Sequence, residues 1–180
     1  MNHQDYVALL RPGISGPGGV WADLGAGSGA FTLALADLVG PTGVIYAVDR
    51  DRAALDRLRD AWLRLTAPPY LETVMADLAR PLTLPPLDGV VMANVLHFFH
   101  DHVAVLRRTH DLLKPGTPLL LVEYNVDDGN MWVPHPLSYA TFGREAVAAG
   151  FTAVTRLGTR PSRFLREIYA ARAFRVVTDG

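Results

Sequence analysis

The chain has 180 residues, 49% of them hydrophobic and 19% charged, which is enough apolar material for one substantial core. That composition excludes a disordered or low-complexity chain. Seventeen basic residues stand against eighteen acidic ones, so no overall basic field draws nucleic acid or an anionic membrane. Cysteine is absent, which excludes disulfides, thiolate nucleophiles and cysteine zinc sites. No apolar run approaches the roughly 18 residues of a membrane span. The opening Met1-Asn2-His3-Gln4-Asp5 lacks the basic flank and apolar stretch of a signal peptide. The expectation is one cytoplasmic domain over residues 1–180 with neither a nucleic-acid nor a membrane partner.

Short apolar runs alternate with helical periods along the chain. Val20 to Leu24 reads as a buried strand ending at Gly25, and Phe31, Leu35, Leu38 and Val39 then share one helix face, stopped by Gly40-Pro41. Val44 to Val48 is a second strand. Leu55, Leu58, Trp62 and Leu65 form the next helical stripe, closed by Pro68-Pro69. Leu71 to Met75 is a third strand, and Val90 to Val95 a fourth. Val103, Leu106 and Leu113 mark a helix ending at Lys114-Pro115-Gly116, before a strand over Leu119 to Val122. Tyr139, Phe142, Ala146 and Ala149 give a last helix, closed by Gly150. Two β-leaning segments, Phe151–Leu157 and 166–174, follow without a helix between them. Alternation of this kind predicts an α/β, doubly wound, mostly parallel sheet with helices on both faces. The closing strand pair predicts an antiparallel edge.

The stretch Asp23-Leu24-Gly25-Ala26-Gly27-Ser28-Gly29-Ala30 is a glycine-rich turn between strand and helix. Such a turn brings backbone close to a ligand and offers free N–H groups at the helix start. Asp49 ends the next strand, 20 residues after Gly29, where an acid can accept from a ribose diol. Capping of the helix near Arg52 is the competing reading of Asp49. Gly25 to Ala30 also satisfy the Gly-x-Gly-x-x-Ala dinucleotide form. Asp23 argues against a pyrophosphate in the same small site and favours a ligand with an ammonium and a sulfonium, such as S-adenosylmethionine.

With these residues the chain resembles the class I S-adenosylmethionine-dependent methyltransferases over nearly its whole length. The matching pieces are Asp23 to Gly29, Ala47-Val48-Asp49, Ala76-Asp77, Asp88 to Phe98, and Leu113 to Glu123. The resemblance implies a seven-stranded Rossmann-like sheet in the order 3-2-1-4-5-7-6, with strand 7 antiparallel. It also implies that Gly25, Ala26, Gly27 and Gly29 approach the methionine portion of the cofactor. By the same analogy Asp49 holds the ribose, and Asp77 with Leu78 borders the adenine. Arg50 is either a cover for the ribose or adenine or a solvated arginine. Asp23 and Asn94 complete the cofactor-binding set. Alternatives kept open are a nicotinamide-dependent oxidoreductase and a non-catalytic S-adenosylmethionine-binding protein.

Methyl transfer from a sulfonium needs alignment, exclusion of water and, for a poor nucleophile, a base. His97 and Glu123, at the ends of the fourth and fifth strands, are the candidate catalytic residues; a histidine hydrogen-bonded in its loop is the competing reading of His97. Asn94 is not followed by Pro-Pro-Tyr or Pro-Pro-Phe, so the amine-methylating signature is missing. His97, His100 and His102 lack the spacing of a metal set, and no metal is expected; Asp101 reads as a helix cap. His110 is expected on a packing surface. Met131 and Trp132 either line an acceptor pocket or cover the sheet edge, and Arg163 either meets an acceptor anion or lies in a solvated turn. The acceptor is expected to be a small molecule. The site is expected to be closed by residues 3–11 or by a second subunit of a homodimer.

Overall fold

Strands and helices in the computed structural model, which describes residues 1–162 and 164–177, fall close to the predicted periods. In chain order they are α1 (His3–Leu10), β1 (Val20–Leu24), α2 (Ala30–Val39), β2 (Val44–Asp49), α3 (Arg52–Trp62) and β3 (Tyr70–Met75). Then come β4 (Gly89–Ala93), α4 (His102–Leu112), β5 (Pro118–Tyr124), α5 (Tyr139–Ala148), β6 (Phe151–Pro161) and β7 (Glu167–Arg175). The sheet runs β3-β2-β1-β4-β5-β7-β6. Strands β1 to β5 pair in parallel, and β7 runs antiparallel to both β5 and β6. The order and the antiparallel strand are those expected.

Helices cover both faces. Val7 and Leu10 of α1, Phe31 and Leu35 of α2, and Leu55 and Leu58 of α3 form one buried cluster. Val105 and Leu106 of α4, with Phe142 and Ala146 of α5, form the other. Burial from both sides explains why β4 and β5 read as continuous apolar runs. Capping acids start two of the helices: Asp51 accepts from the Ala54 amide at 3.2 Å and Asp101 from the Ala104 amide at 2.9 Å. The α3 cap is therefore Asp51, and Asp49 is free for other contacts. His110 packs edge-on against Phe151, with ring centroids 5.2 Å apart.

Several boundaries differ from the periodic reading, among them that of β6, which runs to Pro161 rather than Leu157. Strand β4 stops at Ala93 because Asn94 turns into the left-handed region at φ 53°. The stripe of α3 stops at Trp62, and Leu65 lies in the turn that follows. Helix α1 is additional. Asn2 and Asp5 close a capping box at its start, and Val7, Leu9 and Leu10 are its buried residues. Among the described residues no helix is long and apolar enough to cross a membrane.

Two side-chain contacts tie α1 down, a hydrogen bond between His3 and Asp37 of α2 at 2.7 Å and an ion pair between Asp5 and Arg160 of β6 at 3.4 Å. Pairs as exposed as these contribute about 0–1 kcal/mol, whereas burying one leucine contributes about 1.5–3 kcal/mol. Packing therefore holds the helix. Leu10→Ala should lower the unfolding free energy by about 2–5 kcal/mol in a denaturant titration, while Asp37→Ala should change it by less than about 1 kcal/mol. Equal losses would show that packing does not dominate.

Candidate functional site

After Leu24 the chain must turn sharply from β1 into α2. Gly25 sits at φ 84°, and a Cβ there would run into the side chain of Val95. Gly27 sits at φ 52°, and a Cβ there would meet nothing within 4 Å. The first glycine is thus required by close packing between two turns, and the second faces open space. Gly29 lines no cavity. It precedes α2 at φ 95°, where a Cβ would collide with Leu58, so its role is packing.

Two adjoining cavities share Gly25, Gly27 and Asn94 as a common wall. The larger, about 360 Å³, is lined also by Asp49, Arg50, Asp77, Leu78, Val95 and Phe98. The smaller, about 230 Å³, is lined also by Tyr6, Asp23, Ala26 and Phe31. Apart from Gly29, every residue expected to bind the cofactor borders one cavity or the other. Tyr6 and Phe31, 4.8 Å apart between ring centroids, were not among the expected lining residues. The capping box of α1 is the signal in the sequence that would have placed Tyr6.

Asp23 is buried, and its Oδ2 accepts from the Thr32 hydroxyl at 2.6 Å. Its Oδ1 has no partner. Burial pushes the carboxyl up to about 7, and the charge of Asp49 adds to the rise against the Thr32 hydrogen bond. Asn94 Oδ1 is also buried and unpartnered. Two acceptor oxygens without donors on one cavity call for a donor-rich ligand, and an ammonium with three N–H groups suits them. A pyrophosphate would add a further anion beside Asp23.

Asp49 holds the glycine turn in place. Its Oδ2 accepts from the Gly27 amide at 2.7 Å and its Oδ1 from the Asp51 amide at 2.8 Å. Each carboxylate oxygen keeps capacity for a further donor. Arg50 is exposed on the same cavity, without an ion pair among the described residues. Asp77 accepts from the Ala79 amide at 2.9 Å, and Arg108 of α4 donates to the Leu78 carbonyl at 3.2 Å.

His97 and Glu123 meet each other, but neither lines a cavity. Glu123 is fully buried. Its Oε1 accepts from the amides of Leu96 and His97 at 2.9 and 3.3 Å, and its Oε2 faces His97 Nδ1 at 2.8 Å. The pair lies behind the turn whose residues Val95, Phe98 and Phe99 form the cavity wall. Farther away, His102 bridges Glu145 and the His135 carbonyl, each at 2.9 Å. Among the described residues no group of three His, Asp or Glu could hold a metal ion. Met131 and Trp132 are exposed and line neither cavity. Arg163 lies outside the described residues.

Residues 22–119, more than half of the chain, match the family model described as a methyltransferase domain. The chain belongs to the methyltransferase-domain family. The matched residues include every lining residue of both cavities except Met1 and Tyr6. The ubiquinone/menaquinone biosynthesis C-methyltransferase UbiE of Pseudomonas savastanoi pv. phaseolicola is 34% identical over 105 residues, covering 57% of this chain and 41% of that protein. The chain thus spans less than half the length of the curated relatives it matches. An arsenic(III) S-adenosylmethionine methyltransferase from Chlamydomonas reinhardtii superposes with a TM-score of 0.73 at 22% identity, covering 93% of this chain and 66% of that one. A SAM-dependent methyltransferase from Aquifex aeolicus superposes at 0.76 with 19% identity, covering 96% and 90%. These likenesses support the fold of a methyltransferase-domain family member.

The buried Asp23 couples the site to stability. Its carboxyl, raised from an ordinary 3.8 to about 7, binds a proton more readily in the folded chain than in the unfolded one. Stability from that proton is complete below about pH 4 and is lost as pH rises through 7. Asp23→Asn keeps the shape and removes the buried charge. The variant should be more stable than the parent by about 2–4 kcal/mol at pH 8 and no more stable at pH 4, measured by urea unfolding at both values. A gain that does not depend on pH would show that folding does not raise the Asp23 carboxyl.

Proposed function

We propose that the protein is an S-adenosylmethionine-dependent methyltransferase acting on a small-molecule acceptor. The observation that carries the reading is the pair of unpartnered buried oxygens, Asp23 Oδ1 and Asn94 Oδ1, on a cavity continuous with the one lined by Asp49 and Asp77. When bound, the cofactor supplies a methyl group already activated on a sulfonium. Asp23 and Asn94 would take its ammonium, and Gly27, lacking a side chain, leaves the space between the two cavities open. Asp49 would accept from the ribose hydroxyls while holding the Gly27 amide. Asp77 and Leu78 would border the adenine, with Arg50 over the open side. The acceptor-rich lining suits a cationic nucleoside and leaves a dinucleotide poorly served. A small acceptor is supported by the relatives' names, one a quinone-biosynthesis enzyme and one an arsenic(III) methyltransferase.

Within this reading His97 and Glu123 are positioning residues. Three hydrogen bonds to Glu123 fix the turn that carries Phe98 into the cavity wall. No general acid is needed, because the leaving group is a neutral thioether.

Calorimetry with S-adenosylhomocysteine and with NAD tests the assignment. The first should bind and the second should not. Asp49→Ala should weaken S-adenosylhomocysteine by about 1.5–3 kcal/mol, the range for hydrogen bonds to a charged group, with the fold intact by circular dichroism. Binding of NAD alone would replace the reading with a nucleotide oxidoreductase. Binding of the homocysteine product with no turnover on any acceptor would leave a non-catalytic binding protein.

Once an acceptor is found, His97→Ala should lower turnover by less than about 100-fold, the lower edge of general base catalysis. Its pH–rate profile should keep the acidic limb. A larger loss, with that limb gone, would make His97 the base.

A further inference from the structure

A row of rings leads away from the larger cavity along the carboxyl ends of β4 and β5 and the amino end of β7. It begins at Phe98, which lines that cavity and is 56% exposed. The His97 ring lies 4.3 Å from Phe98, Tyr124 lies 5.9 Å from His97, and Phe164 lies 5.8 Å from Tyr124, centroid to centroid. Phe164, in the turn between β6 and β7, is 50% exposed. Successive planes are tilted by 50°, 53° and 56°. His97 is buried, so the ring surface open to an incoming ring is that of Phe98 and Phe164, with the half-buried Tyr124 between them, at the spacing aromatic pairs prefer.

The row is held from beneath. His97 is tied to the buried Glu123, and the Asn125 amide donates to the Glu167 carbonyl at 2.9 Å, fixing the end of β5 against β7. Its two half-exposed rings stand at its ends, one on the cavity and one above the sheet edge. The Tyr124 hydroxyl between them has no partner among the described residues. Burial, and after it the charge of Glu123, pushes the Tyr124 pKa up, so the hydroxyl stays a neutral donor. Phe98 and Phe164 thus leave ring surface half in water, one on the larger cavity and the other at the turn between β6 and β7, joined by a continuous aromatic contact.

We propose that Phe98, Tyr124 and Phe164 form the platform for a planar aromatic methyl acceptor, an inference that rests on the methyl-transfer reading above. The ring of the acceptor would lie along the row, with one edge toward the cavity at Phe98. Tyr124 would then be within reach of a polar substituent. The platform selects by shape and π-character, and a saturated molecule of the same size loses the stacking contribution.

The test compares 2-naphthol with decahydro-2-naphthol, which share a hydroxyl and a size but not an aromatic face. Both are titrated by NMR into the full chain, with and without S-adenosylhomocysteine. The aromatic probe should bind roughly 3- to 10-fold more tightly than the saturated one, the range for aromatic pairs. Phe164→Leu should bring that ratio close to one and leave the S-adenosylhomocysteine affinity unchanged, since Phe164 borders neither cavity. Phe98→Leu should lower the ratio as well. Equal binding of the two probes, a ratio unmoved by Phe164→Leu, or no binding of either probe would overturn the platform. Failure of S-adenosylhomocysteine to bind the parent protein would instead sink the methyl-transfer reading, and the titrations without it would still decide whether the platform exists.

Discussion

At the carboxyl ends of β1 and β4 the chain leaves the sheet toward opposite faces, and the rest of the site depends on the crevice this creates. Helix α2 packs into one buried cluster and α4 into the other. No helix can then cover the gap between the two strands, which is where open α/β sheets bind ligands. The two turns approach each other so closely that Val95 occupies the space a Gly25 side chain would need. Polar atoms at strand ends are normally satisfied by the chain itself. Here Asp23 Oδ1 and Asn94 Oδ1 are not, because the chain has turned away on both sides.

A second layer holds the crevice in shape. Asp49 fixes the Gly27 amide, Glu123 fixes the turn after β4, and Arg108 fixes the carbonyl of Leu78. Each comes from a different strand or helix, so the walls of the cavities are set by the sheet rather than by loop flexibility. Glu123 shows the logic most plainly. A fully buried carboxylate is tolerated only when hydrogen bonds replace water, and three backbone amides with one imidazole do so. Three of these four donors come from the turn it organises, so the buried carboxylate and the cavity wall stand or fall together.

The sheet was largely legible in the sequence because burial on both faces writes continuous apolar runs, as in Leu119 to Val122, which no solvated strand would show. The glycine turn and Asp49 were legible because their spacing is set by one strand–helix–strand unit. Other features depend on single residues and leave no period. The left-handed Asn94 shortened β4, and the Asn2–Asp5 capping box started a helix whose buried face is only Val7, Leu9 and Leu10. Gly29 resembled its neighbours in the turn, yet its constraint is the Leu58 side chain arriving from α3. Proximity of His97 and Glu123 at two strand ends was visible in the sequence. That they would bond to each other behind the wall depends on side-chain direction, which strand ends alone do not fix.

Charge around the crevice bears on the direction of the proposed reaction. Asp23, Asp49 and Asp77 border the two cavities, with Arg50 as the only cationic side chain among their described lining residues. Asp77 is exposed and screened by water, so the buried Asp23 and the half-buried Asp49 dominate the local field. Under the methyl-transfer reading, the methyl donor would bring two cationic centres, an ammonium and a sulfonium, beside a carboxylate, and its product would keep the ammonium and the carboxylate but not the sulfonium. An acidic wall therefore holds the donor more strongly than the product. The buried ammonium contact is common to both and serves orientation, whereas the sulfonium charge disappears with the methyl group. A site that leaves its acceptor oxygens unpaired at some expense in stability thus gains attraction that is greatest before transfer and weaker after it, which favours product release.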